Sequence, residues 1–94
     1  MRYKLLFKEE AKKEWDKLDN NIRSIFTKKL RQRIEQPRIE KDRLSGLEDC
    51  YKIKLRSAGY RLVYQVRDKE LVVVVVAVGK REKNSVYKRA IRRM

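Results

Sequence analysis

Hydrophobic and polar residues alternate with period two along residues 51–55 and 60–64, the pattern of strands with one covered face. In the first run Tyr51, Ile53 and Leu55 point one way and Lys52, Lys54 and Arg56 the other. In the second, Tyr60, Leu62 and Tyr64 share a face, leaving Arg61, Val63 and Gln65 opposite. Ser57-Ala58-Gly59 joins them, and the glycine supplies the backbone angles of a tight turn. A two-residue loop at Ala58-Gly59 would pair Arg56 with Arg61, Lys54 with Val63 and Lys52 with Gln65. A one-residue slip would mix the faces, so the pattern selects the pairing. The polar face gathers cations, and facing like charges oppose folding. Such a face suits an anionic partner.

Residues 2–7 read as a first strand. From Lys8 the period lengthens: Ala11, Trp15 and Leu18 fall on one helical face. Asp19 and Asn20-Asn21 break the pattern and can cap a second helix. That helix carries Ile22, Ile25, Phe26, Leu30 and Ile34 and is stopped by Pro37. The two helices form a hairpin whose apolar stripe must lie on a sheet, with Trp15 and Phe26 read as core. Residues 38–49 are a polar connection turning at Gly46, long enough to suggest a role of its own.

After a turn at Arg67-Asp68-Lys69, residues 71–78 are six valines with Leu71 and Ala77. An all-apolar strand is covered on both faces and therefore central. Gly79 ends it, and Lys80-Arg81 emerges beyond, beside the start of the preceding strand, so that Arg81 comes near Arg61. In the tail, 84–94, Tyr87, Ile91 and Met94 recur at helical spacing. The order is β-α-α-β-β-β-α: one α+β domain, 1–94, with helices on one face of a small, largely antiparallel four-stranded sheet. Where the first strand inserts stays open.

Composition sharpens the partner. Lys and Arg number 27 against 13 Asp and Glu, a net charge of +14 in 94 residues, which points to a polyanion, nucleic acid or acidic protein. No membrane is expected: 71–78 is too short to span one, and no basic amphipathic segment carries a broad apolar face. The N-terminal residues show no apolar signal region. Cys50 is the single cysteine, read as a packed small hydrophobe, and a reducing cytoplasm fits best. Histidine is absent, which removes the commonest general base and metal ligand. Acidic residues are scattered, so a two-metal phosphodiesterase is not expected, nor is any cofactor or metal.

The candidate site comprises Lys52, Lys54, Arg56, Arg61, Lys80, Arg81 and Tyr87. Cation-rich chemistry without metal is open to RNA, whose 2′-hydroxyl can attack the adjacent phosphate. That reaction needs a base near the 2′-oxygen, positive charge on the phosphate and help for the departing 5′-oxygen. Lysine is a poor base at its free pKa of about 10.4, but neighbouring cations lower that value. Arginine keeps its proton and grips phosphate; tyrosine can stack on a base. The residues alone leave alternatives: a cationic binding face without catalysis, Tyr87 as a core anchor of its helix, and Lys80 as a merely solvated neighbour of Arg81.

The run from Pro37-Arg38-Ile39-Glu40 through Lys41-Asp42-Arg43-Leu44-Ser45-Gly46 to the hairpin, with Val78-Gly79-Lys80-Arg81-Glu82, Val86-Tyr87 and the early Lys13-Glu14-Trp15, strongly resembles the RelE toxins of type II toxin–antitoxin pairs. The likeness covers nearly the whole chain. It implies a ribosome-dependent endoribonuclease that cuts mRNA in the A site, leaves a 2′,3′-cyclic phosphate and a 5′-hydroxyl, and inhibits translation. It implies Lys52 and Lys54 at the 2′-hydroxyl with Lys54 as base, Arg61 at the phosphate, Arg81 at the leaving oxygen and Tyr87 on the base. Arg56, Lys80 and Lys83 would grip ribosomal RNA. A RelB-type antitoxin is the implied partner, displacing the C-terminal helix and covering the cationic face. Ser45 departs from the pattern, a basic residue often preceding the glycine, which bears on a secondary RNA contact. The alternatives are a ParE-like toxin acting on DNA gyrase and a non-catalytic RNA-binding, translation-regulating module.

Overall fold

A computed structural model describes residues 2–94. Strand β1 (Lys4–Phe7) leads into helices α1 (Glu9–Asp16) and α2 (Asn20–Arg33), and a single 3-10 turn at Glu40–Asp42 precedes the remaining strands. These are β2 (Cys50–Leu55), β3 (Tyr60–Arg67) and β4 (Val72–Lys80), followed by helix α3 (Ser85–Arg93). The sheet order is β1-β4-β3-β2, with β1 parallel to β4 and the other pairings antiparallel. The valine strand is thus central, as its two-sided apolarity requires, although it runs through Gly79 to Lys80 instead of ending at the glycine.

Asp19 caps α2, its carboxylate accepting from the Asn21 N–H at 3.1 Å. The helix ends at Arg33, ahead of Pro37. Phe26 and Leu30 pack with Tyr51, Ile53, Leu62, Tyr64, Val73 and Val75 into the main core, and Trp15 lies between Phe7 and Phe26 at centroid distances of 5.2 and 6.3 Å. Ile25 is an exception to the expected stripe and is 42% exposed, because the buried row runs through Ile22, Phe26 and Leu30 at i, i+4 and i+8.

The helices do not share one face. α1 and α2 cover the first core, while α3 lies on the other side, where Val86 and Ala90 pack on Cys50, Val63, Val76 and Ala77. A bulge helps: Val63 faces Ala77 but Tyr64 faces Val75, so Val76 is extra and joins Ala77 on the α3 side. The expected tail stripe is also corrected. Ile91 and Met94 are 59% and 45% exposed, and the buried row is Val86 and Ala90.

Candidate active site

The hairpin closes through residues 56–59, Leu55 accepting from the Gly59 N–H at 2.8 Å with Gly59 at φ 72°. This four-residue turn moves the register by two from the tighter loop. Lys54 now faces Arg61, Lys52 faces Val63, and Arg56 sits in the turn instead of opposite Arg61. An even shift preserves the faces. Cys50, Lys52, Lys54, Arg61 and Val63 therefore share the α3 side of the sheet, apolar beneath the helix and cationic beyond it.

Arg81 arrives from the end of β4 as expected. Its N–H donates to the Gly59 carbonyl at 2.9 Å, and Arg61 lies opposite Gly79. Arg61, Arg81, Asn84, Val86 and Tyr87 line a cleft of about 120 Å³. Two guanidinium groups on so small a cleft suit a tetrahedral oxyanion. The Tyr87 ring packs at the edge of the α3-side core, so the anchoring reading of Tyr87 holds in part. Its hydroxyl is buried without a hydrogen-bond partner among the described residues. Burial pushes that hydroxyl's pKa up, against the lowering influence of Arg61.

Several arginines away from the site are tied to carboxylates. Arg2, Arg33, Arg38, Arg43, Arg67, Arg89 and Arg93 each pair with a carboxylate. Among the described residues, Lys52, Lys54, Arg56, Arg61, Lys80, Arg81 and Lys83 form no ion pair. The Lys54 ammonium is held below the ordinary lysine value, first by the charge of Lys52, then by desolvation and by Arg61 and Arg56. Cys50 is buried and its thiol pushed up to about 11 by burial and by Asp49. It is packing, not chemistry.

Other residues steady the site without announcing themselves in the sequence. Arg33 donates to Asp42 at 2.6 Å, to the Tyr64 hydroxyl at 2.8 Å and to the Lys52 carbonyl at 3.3 Å. Asn84 lines the cleft from a left-handed conformation, φ 58°. Arg33 has no motif, since it matters through residues distant in the chain, and Asn84 is set apart only by its backbone conformation.

The family model described as ParE toxin of type II toxin-antitoxin system, parDE, matches residues 5–85. The mRNA interferase toxin RelE of Escherichia coli strain K12 is 55% identical over 94 residues, covering 100% of this chain and 99% of that protein. The chain belongs to the RelE family of toxins. A free E. coli RelE carrying two arginine-to-alanine mutations superposes on this RelE-family chain with a TM-score of 0.92 at 54% identity, covering 100% of this chain and 99% of that one. RelE in the intact E. coli RelBE toxin–antitoxin complex gives 0.83 at 57% identity, covering 86% and 99%. Among the described residues no helix is long and apolar enough to cross a membrane.

Proposed function

We propose that this chain is the toxin of a type II toxin–antitoxin pair and an mRNA endoribonuclease that cuts messages in the ribosomal A site, halting translation in the cytoplasm. The observation that carries the reading is the unpaired cationic face, on which Lys54 stands opposite Arg61 and Arg81 and Tyr87 close the adjoining cleft. Its near relatives named mRNA interferase support the substrate class.

In the proposed reaction, neutral Lys54 takes the proton of the 2′-hydroxyl, with Lys52 keeping its pKa low. The 2′-oxygen attacks phosphorus and the bond from phosphorus to the 5′-oxygen breaks, leaving a 2′,3′-cyclic phosphate. Arg61 holds the phosphate oxygens as their charge grows. Arg81 hydrogen-bonds the departing 5′-oxygen and stabilises its negative charge while keeping its own proton; the leaving oxygen takes a proton from solvent water and ends as a 5′-hydroxyl. The open side of the Tyr87 ring stacks on a base and sets the angle of attack. Arg56, Lys80 and Lys83 are exposed and grip ribosomal RNA, Lys80 from the other face of the sheet, since it stands opposite Tyr60 of the main core. No resident metal or cofactor takes part in this scheme.

A RelB-type antitoxin is the proposed protein partner; the structures of the E. coli relative include a RelBE complex. Its binding would shift α3 with Tyr87 and cover the cationic face. A complex that leaves Lys54 and Arg81 open and Tyr87 in place contradicts this account of inhibition.

The test is cleavage on programmed ribosomes, with the new mRNA ends mapped. Cuts bearing cyclic phosphates, lost in Arg81→Ala, are expected. An undiminished cut in that variant sinks the mechanism. Gyrase-dependent DNA breaks would favour ParE-like action, and RNA retention without cutting a binding module.

A further inference from the structure

The edge of β4 has an unfinished stretch. β1 ends at Phe7 opposite Val75, leaving the outer backbone groups of Val76 and Val78 without a strand partner. Side chains take that place. Glu14 of α1 accepts from the Val78 N–H at 3.3 Å. Arg93 donates to the Val76 carbonyl at 2.9 Å and Arg89 to the Val78 carbonyl at 3.2 Å, both from α3.

The three side chains also bind one another. Arg93 reaches Glu14 through two nitrogens, at 2.8 and 3.0 Å, and the Arg89 Nε lies 2.7 Å from the second Glu14 oxygen, a charge contact that lacks hydrogen-bond alignment. All three are largely shielded, with side-chain exposures of 23% for Glu14, 24% for Arg89 and 12% for Arg93. Gly79 belongs to the same arrangement. A Cβ there would stand 2.7 Å from the Arg89 guanidinium, so the strand is bare where the arginine crosses it.

α3 needs such a clasp. It has nine residues, a length at which an isolated helix is marginal in water. Only Val86 and Ala90 are fully buried. Its lead-in passes through Lys83 and Asn84, both left-handed at φ 48° and 58°, a conformation L side chains rarely adopt. The packing of Val86, Ala90 and Tyr87 holds the N-terminal part of the helix to the sheet, and the arginines hold its C-terminal part.

We infer that Glu14 is a positioning residue of the active site: by clasping Arg89 and Arg93 against the open edge of β4, it fixes α3 and so seats Tyr87 beside Arg61. The inference rests on the nuclease reading. Glu14 never meets RNA; it acts through the helix.

The experiment uses the full chain with Glu14→Gln, which keeps the shape and removes the charge. In the free protein, amide exchange along 85–93 should rise by about tenfold while β3 stays protected. On programmed ribosomes kcat should fall by about ten- to a hundredfold with KM little changed. In a Tyr87→Ala background, Glu14→Gln should have almost no further effect, because the position it secures has been emptied. Unchanged exchange in α3, a loss carried by KM, or equal losses in both backgrounds would each overturn the inference. Arg93→Gln approaches the clasp from its other side and should reproduce the pattern; it serves if the first variant does not fold. A wild-type chain that leaves mRNA intact removes the nuclease reading itself, a result distinct from a cutting wild type with additive losses.

Discussion

Lys54 of β2 and Arg61 of β3 stand directly opposite each other, two cations paired across the strands. Among the described residues no carboxylate lies within ion-pair reach of either. The proposed base is therefore kept uneasy by its neighbours. Since the charged form of Lys54 is the disfavoured one, the cleavage rate should rise with pH and level off below the ordinary lysine value. Lys52 is the largest cause of that shift. In Lys52→Ala the inflection should move upward, towards ordinary lysine, as single-turnover rates across pH would show. An inflection unmoved by Lys52→Ala would detach Lys54 from the role of base.

The same juxtaposition opposes folding. Lys54→Met should raise the melting temperature slightly while lowering the cleavage rate by about a hundredfold or more. Calorimetry and mapped mRNA ends would read the two effects separately. A variant that loses stability and activity together would mean that Lys54 is a structural residue.

Arg33 should matter more to stability than any cation of the site. Its guanidinium and the Asp42 carboxylate are 14% and 19% exposed, and it also serves Tyr64 and the Lys52 carbonyl. Arg33→Ala strands a shielded carboxylate and removes donors from both oxygens, which should destabilise the chain by about 2–3 kcal/mol in urea unfolding. A change below about 0.5 kcal/mol would place this cluster among surface pairs.

Acid should loosen α3 first. Burial pushes the Glu14 carboxyl up, but hydrogen bonds from Arg93 and the Val78 N–H, with the charges of Arg89 and Arg93, outweigh it and leave it below the ordinary glutamate value. Glu10, 3.8 Å from Arg93, is the other acid facing the clasp. A group with a depressed folded pKa contributes stability above its unfolded pKa, lost as pH falls through the folded one. Protection factors along 85–93, corrected for the intrinsic pH dependence of exchange, should therefore fall as pH drops below the ordinary glutamate range, ahead of those of the main core. Simultaneous loosening of α3 and β3 would contradict this.

Much of the arrangement was legible because it follows from periodicity. Alternation sorted the hairpin faces, the valine run made β4 central, and antiparallel connection brought Arg81 to Arg61. What was not legible depends on partners far apart in the chain. The hairpin loop is two residues longer than the pattern predicts, since nothing local distinguishes a turn at Ala58-Gly59 from one closed by the Leu55 carbonyl. The buried face of α3 differs from the predicted one because Ile91 and Met94 look like anchors, whereas Arg89 and Arg93 turn inward to meet Glu14. An inward arginine reads as solvated until its carboxylate is found on another helix. The side of the sheet that α3 takes depends on the same contacts.

A cationic face left without carboxylates has one more consequence. In the free chain its field is answered by mobile anions from solution, and an arriving strand of RNA exchanges its own condensed cations for the protein's fixed ones. Each phosphate neutralised on a single strand gives a slope of roughly −0.7 in log affinity against log salt. Engagement of this face is thus set by the ionic strength around it as much as by its shape. A modest change in that medium would tighten or release the grip with no residue altered.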